Sequence, residues 1–197
     1  MLSKVKSIVS RLFKIRHQYI FYINNFEKIN EIVPKINVKF EEIGFDNIEG
    51  VIKFRDWKYV KTFKRFLELG HYGIYAFVDS KAVAHLWSII CRTVHCRING
   101  YMDIYQNEAF IHFCYVKEKY RGKNIYPTML KILCQKLFSD FKIKRIWIDT
   151  ETYNIASFKG IEKVGFKPYG KGFYFQFCGH LIFKFFKKTK NKFIVKK

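Results

Sequence analysis

Residues 115–133 read YVKEKYRGKNIYPTMLKIL, a stretch that joins an apolar strand to an amphipathic helix through a basic turn with one glycine. The strand is EAFIHFCYV (108–116), and the helical spacing of apolar residues is expected to continue to about residue 141. The first amides of a helix lack intrahelical acceptors and lie at the positive end of its dipole, so they suit a bound phosphate. The stretch therefore predicts an α/β domain with an anion site between strand and helix.

Alternating and helical hydrophobic patterns divide the rest of the chain into short strands and helices. They are, in chain order, the strand INVKFEEI (36–43), the helices DNIEGVIKF (46–54) and RDWKYVKTFKRFLELG (55–70), the hairpin YGIYAFVDSKAVAHLWSII (72–90), the strand 108–116, the helix 125–141, the strand RIWIDTE (145–151), the helix NIASFKGIEKVG (154–165), and a closing hairpin of FYFQFC (173–178) and HLIFKFF (180–186) broken at Gly179. Asp56 is placed to cap the second helix and Gly70 to end it. The expected order is β α α β β β α β α β β.

Two motifs in this order resemble those of the Gcn5-related N-acetyltransferase family, over residues 36–186. The family pattern V-x-P-x-Y-R-G-x-G-I-G is matched on the strand-to-helix turn by Val116, Tyr120, Arg121, Gly122 and Ile125. The pattern N-x-x-A/S-x-x-x-Y-E-K-x-G-F is matched on the following helix by Asn154, Ser157, Glu162, Lys163, Gly165 and Phe166. The resemblance implies a mixed, mostly antiparallel central sheet flanked by helices. It also implies that the sheet is splayed between its fourth and fifth strands, 108–116 and 145–151.

The resemblance further implies that acetyl-CoA is the cosubstrate, with its pyrophosphate held by the turn and its pantetheine arm beside the strand end. The residues expected to bind it are Val116, Arg121, Gly122, Lys123, Asn124, Ile125, Tyr126, Asn154 and Ser157. Asn124 and Tyr126 stand where the family has small residues; asparagine tolerates unusual backbone angles, so we expect the turn to form. The R-G-K-N-I-Y-P variant resembles acetyltransferases encoded with surface-polysaccharide enzymes.

Two residues of strand 108–116 are candidates for the general base. Acyl transfer from a thioester needs a neutral acceptor amine, because an ammonium group has no lone pair for attack. Glu108 stands where Gcn5-type members carry a carboxylate base, and period-two alternation puts the alternative base, His112, on the same face. An exposed strand-start carboxylate and a packed core histidine are the competing interpretations. The family's proton-donating tyrosine is replaced by Ile161, so the sequence assigns no acid.

Charge points to anionic partners, since 37 Lys and Arg against 16 Asp and Glu give a formal net charge of +21. Most of the basic residues are lysine, which does not favour base readout in nucleic acid. We expect a basic N-terminal extension over residues 1–35, the acetyltransferase domain over 36–186 and a basic tail over 187–197. Residues 4–16 have apolar residues at helical spacing; this amphipathic helix is expected to pack on the core or to dock on an anionic membrane surface.

The five cysteines favour a reducing, cytoplasmic setting, because none forms a C-x-x-C pair and most lie in apolar runs. Cys91, His95 and Cys96 have no fourth ligand at a zinc-site spacing, so no metal is expected. No apolar stretch reaches the ~18 residues that a membrane-spanning helix needs. The expected location is the cytoplasm, with the inner face of the membrane as the place of peripheral contact.

Three functions remain at this stage. The first is N-acetylation of a primary amine by acetyl-CoA, with an amino sugar, nucleotide-linked in one version, as acceptor in surface polysaccharide biosynthesis. The second keeps the reaction and changes the acceptor to a protein or peptide amine. The third is a non-catalytic, membrane-associated module that binds CoA, motivated by Ile161 and Tyr126 at positions where the family has other residues.

Overall fold

The computed structural model describes residues 13–98, 102–178 and 180–189. Its strands are β1 (Phe13–Ile23), β2 (Lys39–Glu42), β3 (Tyr72–Val78), β4 (Lys81–Ile90), β5 (His95–Ile98), β6 (Met102–Tyr105), β7 (Glu108–Val116), β8 (Arg145–Glu151), β9 (Lys167–Phe177) and β10 (His180–Lys188). The α-helices are α1 (Lys58–Glu68), α2 (Ile125–Ser139) and α3 (Ile155–Val164). Eight strands form one sheet in the spatial order β10–β9–β1–β8–β7–β4–β3–β2, and β5 and β6 pair separately.

The sheet is antiparallel except where β7 meets β8. These two strands pair in parallel only from Glu108 opposite Arg145 to Ile111 opposite Ile148, and no further pairing joins them beyond that point. The mixed, mostly antiparallel sheet and the predicted splay between strands 108–116 and 145–151 are therefore confirmed.

Helices cover both faces of the sheet, and the alternation of side chains along each strand decides which core each residue joins. Ile74, Ile111 and Ile148 point to the face that α2 and α3 cover. On the opposite face, α1 packs through Phe63, whose ring centroid lies 4.9 Å from that of Trp87. Among the described residues, one core thus lies on the α2–α3 face and one beneath α1, and a third, smaller cluster contains Ile98, Phe110 and Trp147.

Single residues determine where α1 begins and ends and where the first hairpin turns. Asp56 Oδ1 accepts a hydrogen bond from Lys58 N at 3.0 Å, at the start of α1. Gly70, just past its end, has a φ of +73°, which a residue without a side chain adopts readily. Asp79 and Ser80 join β3 to β4 with φ values of +49° and +59°, as a two-residue hairpin turn of the primed type requires. The predicted roles of Asp56 and Gly70 and the predicted hairpin over residues 72–90 are confirmed.

The N-terminal prediction needs correction. The helix expected over residues 4–16 is wrong from residue 13 onward, because Phe13 begins a long strand; residues 1–12 lie outside the described residues. β1 pairs with β8 on one side and β9 on the other, so the segment suggested as an extension contributes an inner strand to the domain's sheet. Removing the first 20 residues would delete most of that strand, and we expect this truncation to unfold the domain.

Two further elements differ from the sequence prediction. The β5–β6 hairpin was not expected, and Ile48–Lys53 forms a 3-10 helix where an α-helix was expected. At the other end, residues 187–188 of the expected tail complete β10, and residues 190–197 lie outside the described part of the chain.

Candidate active site

A cleft of about 450 Å³ opens where β7 and β8 diverge. It is lined by residues of five elements: Arg16 and Gln18 of β1, Phe110 to Cys114 of β7, Asp149 to Glu151 of β8, Tyr126 of α2, and Ser157 of α3 with the preceding Asn154. Since these residues come from both faces of the sheet, the cleft passes through the sheet at the splay. Such an opening suits an extended chain that enters on one face and reacts on the other.

β7 is bulged beside this cleft. Phe113 has a φ of +51°, and the register with β4 shifts so that Phe113 and Cys114 both lie opposite Leu86. A bulge of this kind leaves one residue of the longer strand without its usual ladder partner. The bulged residues Phe113 and Cys114 both line the cleft, at the level where the two strands separate.

The turn between β7 and α2 has the conformation that the sequence predicts. Gly122 has a φ of +74°, and a Cβ built on it would meet nothing within 4 Å, so the space above it is open. Asn124 follows in the left-handed region with a φ of +60°, as expected for a residue that tolerates these angles. The amides at the start of α2 lack intrahelical acceptors. The turn therefore presents backbone donors to open space.

Some groups at this turn are hydrogen-bonded within the chain or buried. The amide of Arg121 donates to Glu118 O at 3.0 Å, and its Nε donates to the carbonyl of Val116 at 3.2 Å, so these three groups are already engaged. The side chain of Ile125 is buried in the core and contributes only its amide to the surface. The donors that remain at the turn are those of residues 122–126.

Asn124 also fixes the turn to its neighbours. Its Oδ1 accepts a hydrogen bond from Lys163 Nζ at 3.0 Å, and its Nδ2 donates to Val33 O at 3.3 Å. Lys123 O accepts from Lys35 N at 2.8 Å. The turn is thus held by α3 and by the segment before β2, and Asn124 acts on its shape more than as a free ligand donor.

At the start of α3, Asn154 and Ser157 line the cleft together with Tyr126. Asn154 Oδ1 accepts from Ser157 N at 3.1 Å and so caps the helix, which leaves its amide nitrogen to face a ligand. The hydroxyls of Tyr126 and Ser157 lie 3.2 Å apart. Burial raises the pKa of Tyr126 well above its usual value, so the phenol stays protonated at neutral pH. Its ring packs on Gly160, where an added Cβ would lie 2.6 Å from the ring.

A larger pocket of about 780 Å³ lies on the α1 face of the sheet, between β8, β9 and the β5–β6 hairpin. Four aromatic rings line it as a cluster. Trp147 lies 5.7 Å from Tyr22 and 4.9 Å from Tyr169, Tyr22 lies 6.1 Å from Tyr169, and Phe186 stacks on Tyr169 at 5.4 Å, measured between ring centroids. Its charged residues are Asp103, Glu108, Arg145, Lys184 and Lys188. The pocket therefore offers flat apolar surfaces flanked by groups of both signs.

Glu108 is buried at the edge of this pocket, where three donors hold its carboxylate. Its Oε2 accepts from Trp147 Nε1 at 3.0 Å and from Tyr105 N at 3.1 Å, and its Oε1 accepts from Arg145 Nη1 at 3.1 Å. A carboxylate has about four lone-pair positions, so only one, on Oε1, remains for a ligand. Glu108 and His112 share one face of β7, about 13 Å apart along the strand. The structure thus brings the first base candidate to the pocket and the second to the cleft.

Three histidines lie beneath the cleft, around the aromatic core under α1. His112 Nε2 lies 3.2 Å from His71 Nδ1, and burial, with a contribution from His71, lowers the pKa of His112 to about 3. Burial likewise lowers the pKa of His71 to about 4. Burial and the nearby Arg55 lower the pKa of His85 to about 3; its Nδ1 has no hydrogen-bond partner among the described residues. All three are therefore neutral at physiological pH.

We expect acid to destabilise the protein through these histidines. An unfolded histidine has a pKa near 6.5, so below that pH the unfolded chain binds more protons and the stability present above it is lost as pH falls towards 4. His85 and His112 each contribute up to about 1.4 kcal/mol per pH unit, and half-buried His71 contributes less because solvent screens it. Urea unfolding at pH 7.5, 6.0 and 5.0 measures the loss.

A substitution among the three buried histidines tests whether they cause the pH dependence of stability. His85→Phe keeps a ring against Phe63, whose centroid lies 4.8 Å away, and removes one proton site, so it should flatten the pH dependence. His95→Phe removes an exposed histidine and should leave the pH dependence unchanged. Stability that does not vary between pH 7.5 and 5.0 would contradict the assignment.

Ile161 is fully buried in the core on α3, so it offers no group to the cleft. The cleft residues on β1, Arg16 and Gln18, were missed because the sequence analysis predicted a helix over residues 4–16 and no strand after it. No sequence signal singled out the pocket aromatics either, since they lie on strands far apart in the chain. Strand alternation around Glu108 is the one pattern that could have suggested a pocket.

Within the described ranges, no group of three or more His, Cys, Asp or Glu side chains is arranged to hold a metal ion. Over the same part of the chain, no helix combines the length and apolar character that a membrane span needs.

A family model described as the GNAT acetyltransferase family matches residues 38–166. No curated protein matches the chain. A GNAT acetyltransferase structure from Colwellia psychrerythraea has a TM-score of 0.60 at 14% sequence identity, over 88% of this chain and 60% of that one. A functionally unknown conserved protein from Staphylococcus epidermidis gives 0.56 at 13% identity, over 86% and 63%.

An aminoglycoside N-acetyltransferase solved in complex with CoA gives a TM-score of 0.52 at 17% identity, over 66% of this chain and 91% of that one. This chain thus spans less than two thirds of the first two structures and most of the third. At these identities the likeness concerns the fold.

Proposed function

Because the chain belongs to the GNAT family of acetyltransferases, we propose that it transfers the acetyl group of acetyl-CoA to a primary amine. The amine nitrogen attacks the thioester carbon, the carbon–sulfur bond breaks, CoA leaves as a thiolate, and the amine gives up a proton. The observation that carries the proposal is the cleft at which β7 and β8 part, directly beside the glycine turn that begins α2.

The cosubstrate would lie along the cleft. Its pyrophosphate is placed over the amides of residues 122–126, with the cationic side chains of Arg121 and Lys123 nearby. The pantetheine arm would pass between Val116 and the start of α3, where Asn154 and Ser157 offer polar groups. The arm would then pass the bulge at Phe113, so that the thioester points along β7 toward Glu108 and the larger pocket. A free thiol has a pKa of about 8.5, so the CoA thiolate can leave without a donor at Ile161.

The acceptor that we propose is an amino sugar, nucleotide-linked, bound in the larger pocket. The cluster of aromatic rings suits the apolar face of a sugar and the plane of a base, and Arg145, Lys184 and Lys188 suit the phosphates. The carboxylate of Glu108 suits the amine. A role in surface polysaccharide biosynthesis in the cytoplasm follows from this acceptor and is part of the proposal.

For the base we keep Glu108, which would take the proton of the amine directly or through a water. What supports it is the one remaining lone-pair position on Oε1 and its place at the edge of the pocket. His112 is the alternative: it is neutral and lines the cleft, and its Nε2 lies next to His71.

A free-thiol assay with acetyl-CoA tests the function. We expect CoA release with nucleotide-linked amino sugars, and much slower release with free amino sugars that lack the phosphates. Release with peptides instead would support a protein N-acetyltransferase. Tight binding of acetyl-CoA without turnover on either panel would support a non-catalytic CoA-binding module, and absence of binding would contradict all three functions.

A further inference from the structure

One face of the sheet is uncovered at its β1–β9–β10 end. α3 covers β1 as far as Tyr19, whose ring centroid lies 5.2 Å from that of Phe158. Beyond that point, none of the described helices covers the side chains on the same face. The apolar ones are Phe13, Ile15, Phe173, Phe175, Phe177, Phe183 and Phe185, and we call this set the aromatic face. His17, Lys171 and Lys187 lie on the same face.

The aromatic face is continuous and open to solvent. Phe13 lies 4.9 Å from Phe177, and Phe173 lies 6.1 Å from Phe183, measured between ring centroids. The exposed fractions of Ile15, Phe183 and Phe185 are 61%, 54% and 57%. Contiguous apolar surface of this kind on a soluble domain marks a contact site for a partner or a membrane.

The charge of β1, β9 and β10 indicates which kind of partner the aromatic face binds. β1, β9 and β10 contain seven Lys or Arg residues and no Asp or Glu. On the same face as the aromatic residues, Lys171 of β9 lies opposite Lys187 of β10, whereas strand alternation turns the other five basic residues to the opposite face. An apolar surface with lysines beside it matches the interface of an anionic bilayer, which takes apolar groups below its headgroups and binds lysines at them.

We propose that the aromatic face docks the protein on an anionic membrane surface. A second copy of the chain is the less suitable occupant, because two such faces would bring Lys171 and Lys187 of both copies together, with no acid on these strands to offset the four like charges. The aliphatic Ile15 also suits a bilayer better than stacked nucleic-acid bases. The inference does not depend on the proposed function.

Docking would bring the larger pocket close to the membrane. The opposite side of β10 supplies Lys184, Phe186 and Lys188 to that pocket, so one strand forms part of both surfaces.

Co-sedimentation of the full chain with vesicles tests the proposal. We expect binding to vesicles of phosphatidylcholine with phosphatidylglycerol, weak binding to phosphatidylcholine alone, and weaker binding as salt rises. The double variant Phe183→Ser/Phe185→Ser should lose at least about tenfold in vesicle affinity, since each ring buries apolar surface. Its net charge is that of the wild type, so such a loss cannot come from general electrostatic attraction.

The matched control is Trp57→Ser/Val94→Ser, which removes two exposed apolar side chains, 74% and 80% exposed, away from the aromatic face. It should bind vesicles as the wild type does. Circular dichroism and the melting temperature check that both variants are folded, and acetyl-CoA affinity, measured separately, reports on the proposed function alone.

Three results would overturn the proposal. They are wild-type protein that does not bind anionic vesicles, an aromatic-face variant that binds them as wild type does, and a dimer in solution that this variant dissociates. The last would show that a second copy covers the face. Loss of RNA oligonucleotide binding in the variant, with vesicle binding intact, would likewise assign the face to nucleic acid.

Discussion

Glu108→Gln is expected to lower turnover by about 10²- to 10⁴-fold, the usual contribution of a positioned base, while acetyl-CoA affinity is unchanged. The amide oxygen can still accept from Trp147 and Tyr105, but the new NH₂ group cannot accept a proton and faces Arg145. The loss should shrink as pH rises, because the acceptor amine then deprotonates in solution. Steady-state kinetics between pH 6.5 and 9.5 measure both effects.

The variant also loses the ion pair between Glu108 and Arg145, so its effect on stability must be separated from its effect on proton transfer. Arg145→Met removes the same ion pair and keeps the carboxylate. Since Arg145 is proposed to bind the acceptor's phosphates, this variant should raise KM for the acceptor far more than it lowers kcat. Wild-type turnover in Glu108→Gln at every pH would remove Glu108 from the mechanism and make His112 the next residue to test.

Gly122→Val is expected to weaken acetyl-CoA binding by about tenfold or more, as measured by calorimetry. A β-branched residue at a φ of +74° carries a steric cost of about 1–2 kcal/mol in the left-handed region, so the turn must rearrange. The valine side chain would also occupy the open space above the turn, where we place the pyrophosphate.

The control for this experiment is Gly70→Val. Gly70 has nearly the same φ, +73°, but lies at the end of α1 and outside the residues that line the cleft. It should lower the melting temperature by an amount similar to Gly122→Val and leave acetyl-CoA affinity unchanged. Equal affinities in both variants and the wild type would place the phosphate elsewhere.

The part of the fold that local sequence determines was predictable. Asp56 and Gly70 bound α1, Asp79 and Ser80 form the hairpin turn, and Gly122 begins the turn before α2, because each position depends on the conformation or hydrogen bond of one residue. The splay came from the resemblance to a family rather than from periodicity.

Long-range pairing was not predictable. The sequence FKIRHQYIFYI alternates as a strand does, yet its first four residues also continue the helical spacing of residues 4–12, and only β8 and β9 on either side decide between the two. The contact between His71 and His112 likewise joins residues 41 positions apart. The three donors that surround Glu108 come from two other strands, so its burial could not be read from its place at the start of β7.

Because Tyr126 packs on Gly160, these two residues can be substituted only together. A larger residue at 160 collides with the ring, whereas a small residue at 126, as the family pattern has, leaves a void between α2 and α3. Grafting the glycine-rich turn of a relative onto this chain would therefore fail unless residue 160 grows at the same time. The effects of the two substitutions on stability should therefore be strongly non-additive. Each single variant would be destabilised, so a screen of single substitutions would reject both, although the double variant folds.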